Sequence, residues 1–511
     1  CMMLGVIYLI LCMLIGKELA GLLLSKKSGY NQIWLTLTAA FGTGVLIMGW
    51  ATYMTAWAAS EAGAAHPLIY ANAVVMSVAV LIVVLLYWKR YHKAGSFKGI
   101  LETGMITEHR LFRKEAVFFG ALLVFLTWIM FYVFFIRDGV LYSGYTVYGD
   151  YAPHTAMMRS FSMGNNFPTQ YPHFGGQDVK YHFMFQFFVG NLEFLGLRLD
   201  LAYNAVSVLA LLGLLIFLYY MAKRLTGSFA AGVLTVFFFF FRSSLSFFRF
   251  VIEHLNSGDL WTTLRDNTTF IGYTTNENWG LWNFNVYLNQ RHLAFGLLIV
   301  AIVLWVFMDW LEAGCSVPER GVRWIKNRIF TKKAWLCVHS ETALLAGMLL
   351  GLTSFWNGAA VIGGLLILMG FAVFSDGKLD YLILAVTAVI FSVLQTKIFI
   401  WGNAVSPSFY WGFLSENKSI TGVLWYLIQM SGVFFVGAVL LVFLLRERRQ
   451  RAALVSFFFP LIFAFCMSLT PDIAVNHKYI MIAYAFLAIF WSLAVLKLFQ
   501  RKIGCKIVAI L

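Results

Sequence analysis

Apolar runs of about 17 to 25 residues recur along nearly the whole chain, separated by short polar or basic stretches, and each is long enough to cross a bilayer as a helix. They begin near Met2, Ile33, Leu68, Val117, Ala202, Ala230, Leu293, Thr342, Ala359, Leu382, Ile420, Ala452 and Tyr479. The runs are continuous and do not alternate, which argues against a barrel of strands. In lipid, every backbone N–H and C=O must be satisfied within its own segment. The pattern therefore predicts an all-α fold, a polytopic transmembrane helical bundle of about 13 spans. Between the eighth and ninth runs lies only "SFWNGAA" (Ser354 to Ala360), which reads as a tight turn or a broken helix. The first run leads into Lys26 and Lys27 with no small-residue cleavage site. It reads as a span and not a signal peptide, with Cys1 as a trimmed terminus rather than the mature end of a lipoprotein.

The 511 residues are 61% hydrophobic and only 12% charged, whereas a soluble domain is roughly one quarter charged. A net charge of +15 would suggest nucleic acid in a soluble protein. Here the basic residues sort by loop, as the positive-inside rule requires. One set of alternate loops holds Lys26 and Lys27, "KRYHKAGSFK…EHRLFRK", Lys223 and Arg224, "ERGVRWIKNRIFTKK", Lys378, "RERRQR" and the "QRKIGCK" tail. That set is expected in the cytoplasm. The other set comprises "SEAGAAHP" and the segments 137–183, 242–292, 397–419 and 470–479, and is expected outside. The N-terminus then lies outside and the C-terminus in the cytoplasm. Cys1, Cys12, Cys315, Cys337, Cys466 and Cys505 fall in apolar runs or cytoplasmic loops, so no extracytoplasmic disulfide framework is expected.

Ionisable chemistry concentrates in the first large outer loop, "GDYAPHTAMMRSFSMGNNFPTQYPHFGGQDVKYHF" (Gly149 to Phe183). A loop of about 45 residues is usually functional. Within it, "APHTAMMRSFSM" has apolar residues at helical spacing and predicts a short surface helix. Asp150 stands just ahead of that helix. It reads as an N-cap and, compatibly, as a general base held rigid at the membrane interface. His154, His173 and His182 share the loop, but zinc sites use closer pairs such as H-x3-H. These histidines, with Arg159, Lys180 and Tyr181, read as ligand-recognising groups. The second outer segment is rich in Trp, Tyr, Phe and Asn. That suits sugar rings, and it equally makes an interfacial aromatic belt. Glu253–His254 and Arg291–His292 lie near the predicted membrane boundary, where an ionisable side chain is costly and functional by default, although an arginine there also snorkels. In "PDIAVNHKY", His477 and Lys478 open the last span, where free helix N–H groups favour anions. Lys478 reads as a phosphate ligand or as an interfacial lysine. Lys17 and Glu18 are the clearest charges at midplane depth and read as a local pair.

The first outer loop resembles that of the GT-C superfamily of polytopic glycosyltransferases, closest to a poorly characterised bacterial branch. Asp150, His154, Ser160, Phe161, Gly164, Asn165, Pro168, Pro172, Gly175, Tyr181 and His182 carry the resemblance, with "NQRHLAFG" from Asn289 and "NHKY" from Asn476. It covers roughly Val117 to Phe499. It implies a GT-C-like catalytic module at 117–499, with three additional helices and a basic cytoplasmic loop before it at 1–116 and a basic tail after it at 500–511. It also implies short interfacial helices in the first large loop, a bacterial plasma membrane location, and an active site facing outside with Asp150 as the catalytic residue. Two departures stand out. Tyr151 follows Asp150 where many relatives carry a second acid, and the loop follows the fourth span instead of the first. The chain shows no large soluble C-terminal domain, which argues against a role of the oligosaccharyltransferase type.

The implied reaction moves a sugar from a polyprenyl-phosphate-linked donor to a hydroxyl of a glycan, lipid or protein acceptor. Asp150 takes the hydroxyl proton. Arg291, His292, His477 and Lys478 neutralise the phosphate leaving group. His154, Arg159, Lys180, Tyr181, His182, Glu253 and His254 contact the substrates. No cofactor is required, a divalent metal is not supported by the ligand spacing, and nucleic acid is not a partner. The competing expectations are a lipid or solute transporter or flippase, a surface-polysaccharide polymerase or ligase, and a subunit without catalysis.

Overall fold

The computed structural model describes residues 2–24, 31–94, 108–144, 149–241, 244–275, 277, 283–319, 321–400 and 406–500. Cys1, Cys505 and the tail from 501 lie outside the described residues. The chain is nearly all-α. Helices α1 (Met2–Leu23), α2 (Gln32–Glu61), α3 (Pro67–Ala94) and α4 (His109–Val133) lead into a hairpin, β1 (Phe134–Arg137) and β2 (Val140–Ser143). Then come α5 (Tyr151–Ser162), α6 (Met184–Phe194), α7 (Leu199–Thr226), α8 (Phe229–Phe240), α9 (Leu245–Ser257), α10 (Leu260–Asp266), α11 (Asn283–Asn289) and α12 (His292–Cys315). The remainder comprises α13 (Gly321–Phe330), α14 (Ser340–Leu352), α15 (Ser354–Phe374), α16 (Lys378–Phe399), β3 (Ser408–Phe409), α17 (Ile420–Ser431), α18 (Val433–Leu444), α19 (Arg448–Phe457), α20 (Phe459–Cys466), β4 (Met467–Ser468) and α21 (His477–Phe499).

Among the described residues, 10 helices are long and apolar enough to cross a membrane, or up to 12 if each of two bent pairs is one span. The expectation of 13 exceeds this range by one to three runs. The run from Thr342 forms only the 13-residue α14, about 20 Å long against a hydrocarbon core of about 30 Å. The run from Ala230 bends by 65° between α8 and α9, and the run from Ile420 bends by 110° between α17 and α18. Gly432 makes the second bend, with φ 56 and ψ −139, a backbone state that a side chain would strain. Hydropathy counts apolar residues and is blind to such a corner. The hairpin was also not expected. Its turn is Asp138–Gly139, with φ of 51 and 76, a two-residue primed turn whose sequence signal was present.

Three helices form the centre. The apolar windows of α7, α12 and α21 are 83%, 94% and 78% buried, against 28% for α3, α4 and α16. A helix that is apolar all round is stable only when enclosed, as α12 is by α7 and α15. The outer helices keep one apolar side outward, the side that lipid would cover. α2 belongs to the same core. Its Gly42 lies against Leu298 and Ile299 of α12, and Tyr53 packs among Phe161, Phe183 and Phe187. α1 crosses α2 at backbone contact: a Cβ on Gly16 would sit 1.9 Å from the Ala40 carbonyl oxygen, and one on Gly44 would sit 1.8 Å from that of Cys12. Small residues four apart on both helices allow this approach.

One end of the bundle pairs its charges tightly. Buried Glu115 accepts from Asn31 (2.8 Å), Tyr219 (3.0 Å) and Tyr220 (2.9 Å). Arg224 binds Glu312 at 2.7 and 2.8 Å and also Asp309. Asp380 accepts from the Trp310 indole (2.8 Å) and the Val338 and His339 amides. Lys17 and Glu18 do not pair with each other: Glu18 binds Arg90 at 2.9 Å, and Lys17 lies over the Tyr87 ring. Successive helical residues point about 100° apart, so neighbours in sequence do not face each other.

Replacing Gly44 by Leu should separate α1 from α2 and cost about 3 kcal/mol. Thermal unfolding of the detergent-solubilised protein measures this. A Tm equal to that of the parent protein would contradict the close crossing.

Candidate functional site

The first outer loop is latched to the turn between α11 and α12. The Asp150 amide donates to Asn289 Oδ1 (3.2 Å), and Asn289 Nδ2 donates back to Asp150 Oδ2 (3.1 Å). Tyr151 Oη donates to the Leu288 carbonyl at 2.8 Å. Asp150 does occupy the N-cap position of α5, but its side chain makes no capping bond there. Oδ2 is engaged by Asn289, and Oδ1 accepts from no described residue. The carboxylate is thus fixed from one side and open on the other.

α5 is itself clamped from behind. Arg159 pairs with Glu193 of α6 at 2.9 Å, and Ser162 donates to the same carboxylate at 2.7 Å. Asn191 of α6 exchanges two amide hydrogen bonds with Asn72 of α3, at 2.7 and 3.1 Å. Arg159 therefore holds α5 on α6 and does not reach toward Asp150. With that face pinned, His154 turns into the bundle, its ring 5.2 Å from that of His292. Its Nδ1 is buried and has no hydrogen-bond partner among the described residues.

His292 opens α12 and is set by a helix break. Asn357 has φ −163 and ψ 101 inside α15, so the helix is kinked there. "SFWNGAA" is a broken helix rather than a loop. Asn357 Oδ1 accepts from the Ala360 amide (2.9 Å), which turns its Nδ2 toward His292 Nδ1 at 2.8 Å. Nδ1 of His292 is then an acceptor, and by this network its proton sits on Nε2, 3.1 Å from Tyr181 Oη. His182 Nε2 lies 3.1 Å from the same Nδ1. A buried amide thus orders the tautomer of one histidine and brings His182 and Tyr181 to it.

Arg291 was expected to bind phosphate. Instead it is fully buried. Nε donates to Leu288 O (2.9 Å), Nη2 to Met130 O (3.3 Å), and Nη1 to Asn204. The guanidinium lies 4.3 Å from the Tyr203 ring centre and also faces Phe134 and Tyr151. This cation holds the Leu288–Arg291 turn onto α4 and α7, and its removal would strand the Met130 carbonyl and the Asn204 amide oxygen, while Leu288 O keeps Tyr151. His477 Nδ1 donates to the Ala474 carbonyl (2.8 Å) and closes its own turn. Its neighbour Lys478 is buried, makes no hydrogen bond to a described residue, and interacts electrostatically with Asp150, His154 and His182. Lys180 is exposed on the outer turn.

Glu253 and His254 belong to another network. Glu253 binds Arg249 (2.9 Å) and Tyr273 (2.6 Å), while His254 binds Asp259 (2.8 Å), all along α9 and the segment after it. The bonds this pair makes are local ones, away from Asp150. The structure thus brings together Asp150, His154, Tyr181, His182, His292 and Lys478. It adds Asn289, Asn204 and Asn357, which sequence reasoning did not single out. Asn289 lies in "NQRHLAFG", where an amide beside Arg–His was the available hint. Among the described residues, no three His, Cys, Asp or Glu side chains converge as a metal site.

Burial lowers the pKa of His154 to about 4, with Lys478 and Arg291 pushing the same way and Asp150 opposing. Burial, then Lys478 and His154, also hold His182 well below its ordinary value. Both rings are neutral at pH 7, whereas in the unfolded chain they protonate near ~6.5. The unfolded state binds more protons between those values, so this stability is complete above about pH 6.5 and is lost as pH falls toward about 4. Replacing His154 with Gln should flatten the fall in Tm between pH 7 and pH 4.5, and an unchanged slope would show that His154 does not contribute. Arg291→Gln should cost ~3 kcal/mol through the stranded Met130 carbonyl and Asn204 amide, read as a lower Tm at pH 7. No protein-family model, curated protein or solved structure matches this chain.

Proposed function

We propose that the protein is a membrane glycosyltransferase that moves a sugar from a polyprenyl-phosphate-linked donor to an acceptor hydroxyl on the extracytoplasmic face. One observation carries this reading. A carboxylate with an open oxygen, and a buried lysine and a buried imidazole nitrogen that make no hydrogen bond among the described residues, meet at one end of a lipid-facing bundle. Buried polar groups are normally satisfied. The buried His154 Nδ1 is such an exception, and with the open Asp150 oxygen and the Lys478 charge beside it marks a place built for a polar ligand.

The roles follow from the chemistry of each group. Asp150 Oδ1 accepts the proton of the attacking hydroxyl, a general-base contribution of ~10²–10⁴-fold. The anomeric carbon develops oxocarbenium character as its bond to the phosphate oxygen breaks. The leaving phosphate gains charge, and Lys478 at the start of α21 neutralises it. His154, neutral at pH 7, offers or accepts a hydrogen bond to a sugar hydroxyl, and Tyr181 and His182 border it. Asn289 and Arg291 position Asp150 and touch no reacting atom in this scheme.

A second reading rests on the break at Asn357. Broken helices line the substrate paths of transporters, so translocation of a lipid-linked sugar is the alternative. Purified protein in vesicles, supplied with radiolabelled polyprenyl-phosphate sugar and acceptor lipid, separates the two. Transfer predicts labelled product whose formation falls by about 10²-fold or more in Asp150→Asn. Translocation predicts label crossing the bilayer without new product. Lys478→Ala should raise the donor KM more than the acceptor KM, and an equal rise in both would remove Lys478 from the phosphate.

A further inference from the structure

The far end of α12 carries a different kind of surface. α13 hangs from the last turn of α12 by two side chains four residues apart. Trp324 donates its indole N–H to the Gly314 carbonyl (2.9 Å) and stacks on Phe374 at 5.9 Å. Arg328 donates to the same carbonyl (3.4 Å) and pairs with Glu319 (3.5 Å) and Asp376 (3.4 Å). Gly314, Phe374 and Asp376 lie at the ends of α12 and α15, where the apolar runs stop. α13 is therefore anchored at the level where hydrocarbon would give way to headgroups.

Its other faces are open. At about 100° per residue, Val322, Ile325 and Ile329 form a stripe beside the anchored edge, and Lys326, Phe330 and Arg323 follow it round. Val322 is 80% exposed and Phe330 76%. A turn of 3-10 helix, Lys332–Trp335, extends the surface. The Trp335 indole N–H donates to Ile329 O (2.8 Å), which folds the turn back on α13 and leaves the ring half exposed beside Lys332 and Lys333. Arg323, Lys326, Lys332 and Lys333 are exposed, and none pairs with an acid among the described residues. An apolar stripe flanked by cations is the composition of helices that lie in a bilayer interface and favour anionic lipids.

We propose that α13 and the following turn bind anionic phospholipid headgroups. The stripe of Val322, Ile325 and Ile329 enters the acyl boundary, while the four cations take the phosphates. Lipid is the occupant because it supplies both halves at this depth: hydrocarbon for the stripe and anionic oxygen for the cations beside it. An acidic protein segment would match only the charges. The 24 residues of α12 place this surface about 36 Å from the His292 end, so it is separate from the Asp150 site and does not depend on the reaction assigned there.

Native mass spectrometry of the full-length protein in detergent tests the proposal, with dioleoyl phosphatidylglycerol and dioleoyl phosphatidylcholine offered at equal concentration. The parent protein should retain the anionic lipid several-fold more. R323Q/K326Q/K332Q/K333Q should bring that preference close to one. K332Q/K333Q, which leaves α13 unaltered, should bring it part of the way, and R110Q/R113Q at the start of α4 should leave it in place. A preference that survives the quadruple change, or that falls as far in R110Q/R113Q, overturns the proposal. Displacement of the lipid by equimolar inorganic phosphate would assign the surface to a free anion and overturn it as well.

Discussion

The reciprocal bond between Asp150 and Asn289 is the contact on which the candidate site depends. A primary amide is complementary to a backbone N–H and a carboxylate oxygen presented together, so one side chain fixes both the start of α5 and the rotamer of Asp150. The choice of an amide has a consequence. Had Arg291 made this contact, the carboxylate would be locked in an ion pair. Arg291 lies one turn away and spends its charge on carbonyls and ring faces. A buried cation held by dipoles and aromatic faces stabilises the turn without quenching the acid next to it. Tyr151, which stands where the resemblance calls for a second acid, closes the same clamp through Leu288 O and the face it shows to Arg291.

The two ends of the bundle follow opposite electrostatic logic. At the end of α12 near Cys315, Glu115, Arg224, Arg328 and Asp380 are each surrounded by partners. Such networks hold helices in register, and even Glu319 Oε2 and Asp376 Oδ1, which make no hydrogen bond among the described residues, face the Arg328 charge. At the His292 end, His154 and Lys478 are enclosed and their side chains make no hydrogen bond among the described residues. A fold meets this cost where a ligand completes the set, and local violations of satisfaction concentrate at functional sites. The contacts between loops are consistent with one working face: loop 137–183 binds Asn289, Tyr426 binds Thr275, and β3 pairs with β4.

Much of this was legible in the sequence, because lipid imposes a simple rule. Continuous apolar runs predicted the helices, and the spacing in "APHTAMMRSFSM" predicted α5. A concentration of ionisable residues in one loop pointed to Asp150, His154, Tyr181 and His182, and the starts of two later spans pointed to His292 and Lys478. These residues are conspicuous because a charge or imidazole is costly near hydrocarbon. Asparagine is not conspicuous in the same way. Asn204, Asn289 and Asn357 carry no charge and follow no period, yet they set Arg291, Asp150 and His292.

The sequence by itself determined that the chain is a bundle of apolar helices with its reactive groups gathered in particular loops, since composition and run length follow directly from the cost of exposing backbone to lipid. Tertiary structure decided which charges are left unsatisfied. Arg291 and Lys478 look alike as cations at the start of a helix, but among the described residues one meets three acceptors and the other meets none. Tertiary structure also decided which apolar runs stay straight, because bends such as the one at Gly432 depend on backbone angles that hydropathy does not record. Whether a polar group is paired is a property of distance and direction across the fold, and neighbours in sequence do not carry that information.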